Sequence, residues 1–282
     1  MCAAVSRCIA IACVGALVAC QERLDSQERT ASMHGTLTLA QRHSGYAGNR
    51  EDWSGFLACW YQAAVVRHQE ERRRDSNTPY IPVLARYARG AHMQRPVEGM
   101  PQAIQRLETS LGVSLPRSYR DFLLAYEPPS FEPHIVNGVS FKVGMYSPAE
   151  VDRYAKLEPE MVAEQGKWPI HSADAEYFTY GVKQDDASGR TEYHHDAIVV
   201  GKHGNSQYEV IVLYPQVRTA DGEMEAALFY HSGEFRAPSF AEVMRQLSIL
   251  ETQPVDHVPP YPQSMLHGTC AEKLPIKDVW WE

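Results

Sequence analysis

Apolar residues recur at helical spacing in four stretches of the chain. Trp53, Phe56, Leu57, Trp60 and Ala64 fall at i, i+3, i+4, i+7 and i+11, which lays one apolar stripe along a helix. Ile104, Leu107 and Leu111 repeat the pattern, and so do Tyr119, Phe122, Leu123 and Tyr126. Between those two, Gly112 suits a helix C-terminus and Pro116 the first turn of a following helix, so Val113-Ser114-Leu115 forms an elbow. Pro128-Pro129 prevents the second helix from continuing. The fourth stripe is Phe240, Val243, Met244, Leu247 and Leu250, opened by the capping box Ser239-Phe240-Ala241-Glu242.

Elsewhere the period shortens. HIVNGVSFKVGMY (134–146) predicts a strand or a hairpin about Asn137-Gly138. AIVVG (197–201), YEVIVLY (208–214) and EAALFYH (225–231) read as strands, with turns at Gly204-Asn205 and Asp221-Gly222. Ser147-Pro148-Ala149-Glu150 is a second capping box and predicts a helix start, whereas Asp185–Gly189 predicts a polar turn. Residues 75–97 look irregular, broken by Pro79, Pro82, Gly90 and Pro96. The expected fold is α+β, with helices packed on one face of a mainly antiparallel sheet. A helical N-terminal extension precedes it and a Pro-rich C-terminal tail follows. That tail ends in Val279-Trp280-Trp281, expected to pack on the Trp53/Trp60 helix.

Charge is unevenly spread along the 282 residues. Residues 1–97 hold 12 Lys/Arg against 8 Asp/Glu (+4), residues 98–250 hold 13 against 22 (−9), and residues 251–282 hold 2 against 5 (−3). The acidic centre argues against nucleic acid, whose phosphates it repels, and suits a basic protein partner or simply a solvated surface. On polar, turn-rich context, Asp185, Asp186, Glu192, Asp196, Glu223 and Glu225 are the expected rim of a docking surface.

The first twenty residues stand apart. MCAAVSRCIAIACVGALVAC carries one cation, Arg7, before an uncharged run too short to span a bilayer but fitting for a signal peptide. Leu17-Val18-Ala19-Cys20 resembles the lipobox of bacterial lipoproteins, which implies cleavage after residue 19 and lipidation of Cys20. In such proteins an Asp after the cysteine tends to retain the chain at the inner membrane. Gln21 therefore favours the outer one. The expected organisation is a signal peptide (1–19), a polar flexible tether (20–50), a helical extension (51–97), a core domain (98–250) and a C-terminal tail (251–282). After cleavage and lipidation, Cys59 and Cys270 remain of the six cysteines. Outside the cytosol such an isolated pair invites a disulfide, the alternative being two buried thiols.

Catalytic and cofactor patterns are missing, so neither an enzyme nor a cofactor is expected. His194-His195-Asp196, with His171, His203 and His231, is the best metal grouping. Adjacent histidines on a strand would point to opposite faces, and no HExxH or CxxC spacing supports them. Gly201–Asn205 lacks the spacing of a phosphate loop, and Ser232-Gly233 lacks the glycines of a nucleophile elbow.

Two stretches carry a family resemblance. IQRLETSLGVSLPRSYRDFLLAYE (104–127) resembles the opening signature of the SUKH superfamily of Smi/Knr cell-wall-regulator-like domains, through Ile104, Leu107-Glu108, Leu111-Gly112, Leu115-Pro116, Tyr119 and Phe122-Leu123. IVVGKHGNSQYEVIVLYP and SFAEVMRQL are similar to the family's strand–Gly–strand centre and closing helix. Glu127-Pro128-Pro129-Ser130 departs from it, standing where an Asn-Gly-type turn is usual. The resemblance spans about residues 98–250 and implies protein binding without catalytic residues. Bacterial members are largely immunity proteins against toxins exchanged between cells, and fungal ones are signalling scaffolds. The combined expectation is a lipid-anchored periplasmic immunity protein that occludes a toxin or effector acting in the envelope, with the adjacent reading frame as the candidate source of that partner. The alternative is an envelope scaffold binding a cell-wall enzyme.

Overall fold

A computed structural model describes residues 39–77, 98–125, 134–136, 139–141, 144–203, 208–230, 233–252 and 270–281. The signal peptide, Cys20, residues 21–38, the irregular stretch 78–97, the double-proline loop and the Asn137-Gly138 and Gly204-Asn205 turns lie outside the described residues. Among the described residues no helix is long and apolar enough to cross a membrane.

The first stripe forms α1 (Arg50–Arg74). Asn49 caps it, its Oδ1 accepting from the backbone N–H groups of Glu51 (2.8 Å) and Asp52 (3.1 Å), while Asp52 Oδ2 accepts from Asn49 N–H. The next two stripes form α2 (Met100–Leu111) and α3 (Arg117–Ala125). Gly112 closes α2 at φ 66°, a left-handed conformation that a side chain would resist. Glu108 then ties the elbow by accepting from Leu115 N–H at 2.9 Å. The hairpin β1 (His134–Val136) and β2 (Val139–Phe141) pairs Val136 with Val139 as expected.

The remaining strands are β3 (Gly144–Met145), β4 (Asp152–Arg153), β5 (Ile198–Lys202), β6 (Val210–Arg218), β7 (Met224–Tyr230) and β8 (Gly233–Ala237). They form one antiparallel six-stranded sheet in the order β3-β5-β6-β7-β8, with β4 also pairing β5. Between β4 and β5 run three short helices, α4 (Tyr154–Leu157), α5 (Pro159–Gln165) and α6 (Asp174–Tyr177). Two 3₁₀ turns follow, at Gly181–Lys183 and Thr191–Asp196. The fourth stripe closes the fold as α7 (Phe240–Thr252).

Alternation along the strands divides the interior into two cores. Ile198, Val200, Ile211, Leu213, Met224 and Phe235 face α1, α2, α3 and α7. There Trp53, Tyr119, Phe122 and Phe240 interlock, with ring centroids 4.9–5.6 Å apart for Tyr119–Phe240, Trp53–Phe122 and Trp53–Phe240. Val199, Val210, Val212, Tyr214, Ala227 and Phe229 face the other way, onto Tyr154, Met161, Tyr180 and Trp281. The long helices thus cover one face, as the α+β pattern requires, but the second face is dry as well. The segment 154–196 lies over it.

Four local expectations are corrected. Ser147–Glu150 makes a single turn rather than a helix: Glu150 turns back to accept from Ser147 N–H and Oγ, and β4 follows. The capping box at Ser239 is half formed, because Ser239 Oγ accepts from Glu242 N–H while the Glu242 carboxylate goes to Arg245 and Gln246. Residues 39–50 are held, not loose. Leu39 and Ser44 are buried, Ser44 N–H and Oγ donate to Asp221, and Tyr46 bridges Ile276. The tail tryptophans sit away from Trp53: Trp281 joins the second core, and Trp280 lies under the Arg42 guanidinium and meets Tyr180 edge to face. Cys59 and Cys270 form a disulfide that links α1 to this tail.

Candidate functional site

The cover over the second face is attached to the sheet by polar groups. Ala227 pairs with Arg236 and Phe229 with Glu234 across β7 and β8, so Arg236, Glu234 and Glu225 point into the second core. The Arg236 guanidinium is fully buried beneath the Tyr177 ring, 4.0 Å from its centroid. It donates to the carbonyls of Tyr177 and Ser188, and Gln184 brackets its backbone with two further hydrogen bonds. Its charge faces two carboxylates, Glu234 at 3.4 Å and Glu225 at 4.0 Å. Tyr177 and Tyr180 hydroxyls donate to Glu225, and Tyr214 donates to Glu234 at 2.5 Å.

The two acids respond differently. Burial pushes Glu225 up to about 7 despite Arg236 and the two phenols. Burial also acts to raise Glu234, but His194, Arg236 and Tyr214 override it and hold that carboxyl below its usual range. His194, which acts on Glu234 and not on Glu225, accounts for the order together with the closer guanidinium. All three phenols are raised well above 10 by burial and the adjacent carboxylates, so they remain donors.

Beside this network a cleft of about 340 Å³ opens between residues 161–170 and the β7–β8 end of the sheet. Met161, Ile170, Phe229 and Tyr230 give it apolar walls, and Trp168 stands on its rim with 75% of its surface exposed. Glu164, Asp186 and Glu234 supply carboxylates. Asp186 accepts from Tyr230 Oη at 2.6 Å, and its carbonyl from Glu234 N–H at 3.0 Å. Gly233 makes that approach feasible: a Cβ there would lie 2.3 Å from Asp186 O. Arg190 is the one cation among the lining residues other than histidine, and it is held by Asp174, the Ser172 carbonyl and Tyr193 Oη.

The six acids expected on a docking rim divide here. Asp185, Glu192 and Asp196 are exposed and Asp186 half-buried, all on the single stretch 185–196, with Asp186 lining the cleft. Glu223 and Glu225 are buried and structural, which corrects their placement on the rim. Glu223 accepts from Ser118 N–H (2.8 Å) and Ser118 Oγ (2.5 Å), setting a carboxylate at the N-terminus of α3. His194 and His195 lie in the 3₁₀ turn rather than a strand. His194 is buried, its Nδ1 bonded to Gln165 Oε1 at 2.8 Å, while exposed His195 pairs with Asp196. Among the described residues no group of three or more His, Cys, Asp or Glu is placed to hold a metal ion.

Trp168, Ile170, Glu234 and Arg236 were not legible as site residues. The isolated aromatic in the polar run EQGKWPIHS was the one available signal for Trp168. Comparison with curated proteins and with solved structures finds no match. The SMI1 / KNR4 family (SUKH-1) matches residues 100–246, from the start of α2 into α7 and just over half of the chain, and the chain belongs to that family.

Proposed function

We propose that this chain is an envelope-facing immunity protein. Anchored by lipid on Cys20, it neutralises a toxin or effector acting in the periplasm by covering that protein's working surface. The observation that carries the reading is the aromatic-rimmed, acid-lined cleft beside the exposed acids of 185–196. Exposed aromatics over an apolar cleft give affinity, and the surrounding negative charge steers a basic partner. Family membership supports protein binding as the mode of action. The lipobox-like Leu17–Cys20 supports the location, and the Cys59–Cys270 bond suits an oxidising compartment. Location restricts the target: a protein tethered outside the cytosol meets toxins that attack peptidoglycan or lipid.

The test is survival. The product of the adjacent reading frame is directed to the periplasm with and without this protein. Rescue of growth supports the reading, and equal killing in both cultures ends it. Cys20→Ala is expected to shift the protein from the membrane fraction to the soluble periplasm. Retention in the membrane would exclude the lipid anchor.

A further inference from the structure

We propose that Cys59–Cys270 is a redox latch on a strap that steadies the cover of the polar face. The docking face would then become firm only once the chain reaches an oxidising compartment, a purpose that rests on the envelope-facing reading above. The strap is residues 270–281. It lies outside the family-matched region 100–246, as do α1 and residues 39–49. The bond joins α1 to the first residue of the strap, and Arg245 Nε on α7 donates to the Ala271 carbonyl beside it at 3.1 Å.

Beyond the bond, the strap rests chiefly on another end segment. Ala47 N–H donates to Pro275 O (3.1 Å), Lys277 N–H to Gly45 O (2.8 Å) and Trp280 Nε1–H to His43 O (2.9 Å), while Tyr46 bridges Ile276. Neither segment is a strand of the six-stranded sheet. Segments held in this way open at lower free energy than core strands, and a cross-link to α1 restrains that opening. The far end of the strap touches the cover. Trp281 packs in the second core and Trp280 meets Tyr180 with centroids 5.6 Å apart. A Cβ on Gly181 would lie 2.2 Å from Trp281 O, so strap backbone lies directly against cover backbone. Further along the same cover segment, Gln184 brackets Arg236 and Asp186 lines the cleft. Releasing the strap removes the support of Tyr180–Gly181, from which the docking stretch 185–196 continues.

Closing the latch is thiol–disulfide exchange with a disulfide-bearing oxidant, for example oxidised glutathione. The Cys59 thiolate attacks one sulfur of the oxidant, whose own sulfur–sulfur bond breaks and releases the first thiol. The Cys270 thiolate then attacks Cys59 Sγ in the mixed disulfide, and the second thiol leaves. The two cysteines give up two electrons and two protons, and the oxidant carries both away as its thiol form. Reduction reverses these steps. An external thiolate enters at Cys59, which is partly exposed, because Cys270 is buried.

The experiment is amide hydrogen exchange on the full chain, oxidised and then reduced with dithiothreitol after folding, alongside the Cys59→Ser/Cys270→Ser variant. On reduction, exchange should speed by about tenfold or more in residues 270–281 and 177–186, with β6 and β7 unchanged. Trp281→Ala, bond intact, should speed 177–186 as reduction does. Unchanged exchange in both segments would overturn the latch. Faster exchange in 270–281 alone would show that the strap does not steady the cover. Equal acceleration in β6 and β7 would make the bond a staple of the whole fold and overturn the proposal as well. None of these readouts needs a toxin, so the survival assay judges the immunity reading separately. Rescue with unchanged exchange removes the latch and leaves that reading, whereas the expected exchange pattern without rescue does the reverse.

Discussion

The two faces of the sheet are both buried, yet they are built on different chemistry. On the helix side, Trp53, Phe122 and Phe240 meet edge and face, and their fit is dispersion and area burial. On the other side, β7 and β8 send in Glu225, Glu234 and Arg236, and the cover is attached by directional bonds to Tyr177, Tyr180 and Gln184. An apolar interface is fixed by the fit of its side chains and imposes no hydrogen-bond partners. A buried guanidinium must meet two carboxylates and two carbonyls. The polar face fixes where residues 154–196 sit, and this segment forms much of the cleft. The apolar face supplies stability, and the polar face supplies position.

The largest effect that separates them is on the helix side. Trp53→Ala removes a side chain with no exposed surface that touches Phe56, Phe122 and Phe240 and donates to Tyr46 Oη at 2.9 Å. A loss of about 3–5 kcal/mol is expected in denaturant unfolding, with the cleft unaltered in whatever fraction stays folded. A loss under about 1 kcal/mol would mean that this core is not tightly packed.

Arg236→Met is the counterpart on the polar face. It leaves Glu225 and Glu234 buried beside each other without their cation, a loss of about 3 kcal/mol or more at pH 8. Unlike Trp53→Ala, it should be partly reversed by adding Glu225→Gln, since one of the two stranded charges is then gone. No coupling between these two substitutions in a double-mutant cycle would mean that the triad is not an energetic unit.

The same contrast explains what the chain's pattern disclosed. The helix face was legible because period 3.6 marks it four times, and Trp53, Leu107, Phe122 and Phe240 are all buried where their spacing puts them. The family signature lies on that face too. EAALFYH was legible as a strand, but alternation along a strand reports which side a residue faces and not whether that side is wet. Glu225 therefore looked like rim, and Glu-Phe-Arg-Ala at 234–237 did not stand out as a strand at all. The cover has no period to read. Its short helices and 3₁₀ turns are held by Arg236, Arg190 and tyrosine hydroxyls, pairings that exist only once distant strands meet. Trp168 follows the same rule, since its exposure depends on a fold that gives it no partner side.

Acid–base behaviour offers a smaller test of the contrast. Burial raises both Glu223 and Glu225 to about 7, well above the unfolded value near 4.5. Between those limits the native state holds more protons than the unfolded one, so stability falls as pH rises from about 4.5 through 7 and levels off above. Glu234, held below its usual value, acts in a separate window: its contribution is present above about 4.5 and is lost only as pH falls further. A decline on the order of 1–3 kcal/mol between pH 5 and 8 is expected in chemical denaturation. Glu225→Gln should flatten it by about half and leave the helix-face contribution untouched. A slope unchanged by Glu225→Gln would place the titration elsewhere.

The smallest effect on stability should carry the largest effect on binding. Trp168 is three-quarters exposed, so Trp168→Ala should shift the unfolding midpoint by no more than about 0.5 kcal/mol. Ala125, buried on the helix side, makes the opposite control: Ala125→Asp should unfold the protein rather than tune it. If Trp168 is a hot-spot anchor, its loss weakens partner binding by about 2 kcal/mol, a thirtyfold rise in Kd, and protection in the survival assay falls although the protein remains folded and abundant. Protection that survives Trp168→Ala at equal protein level would move the docking surface off the polar face. The contrast between the two faces would then concern how the fold is held together and not how it works.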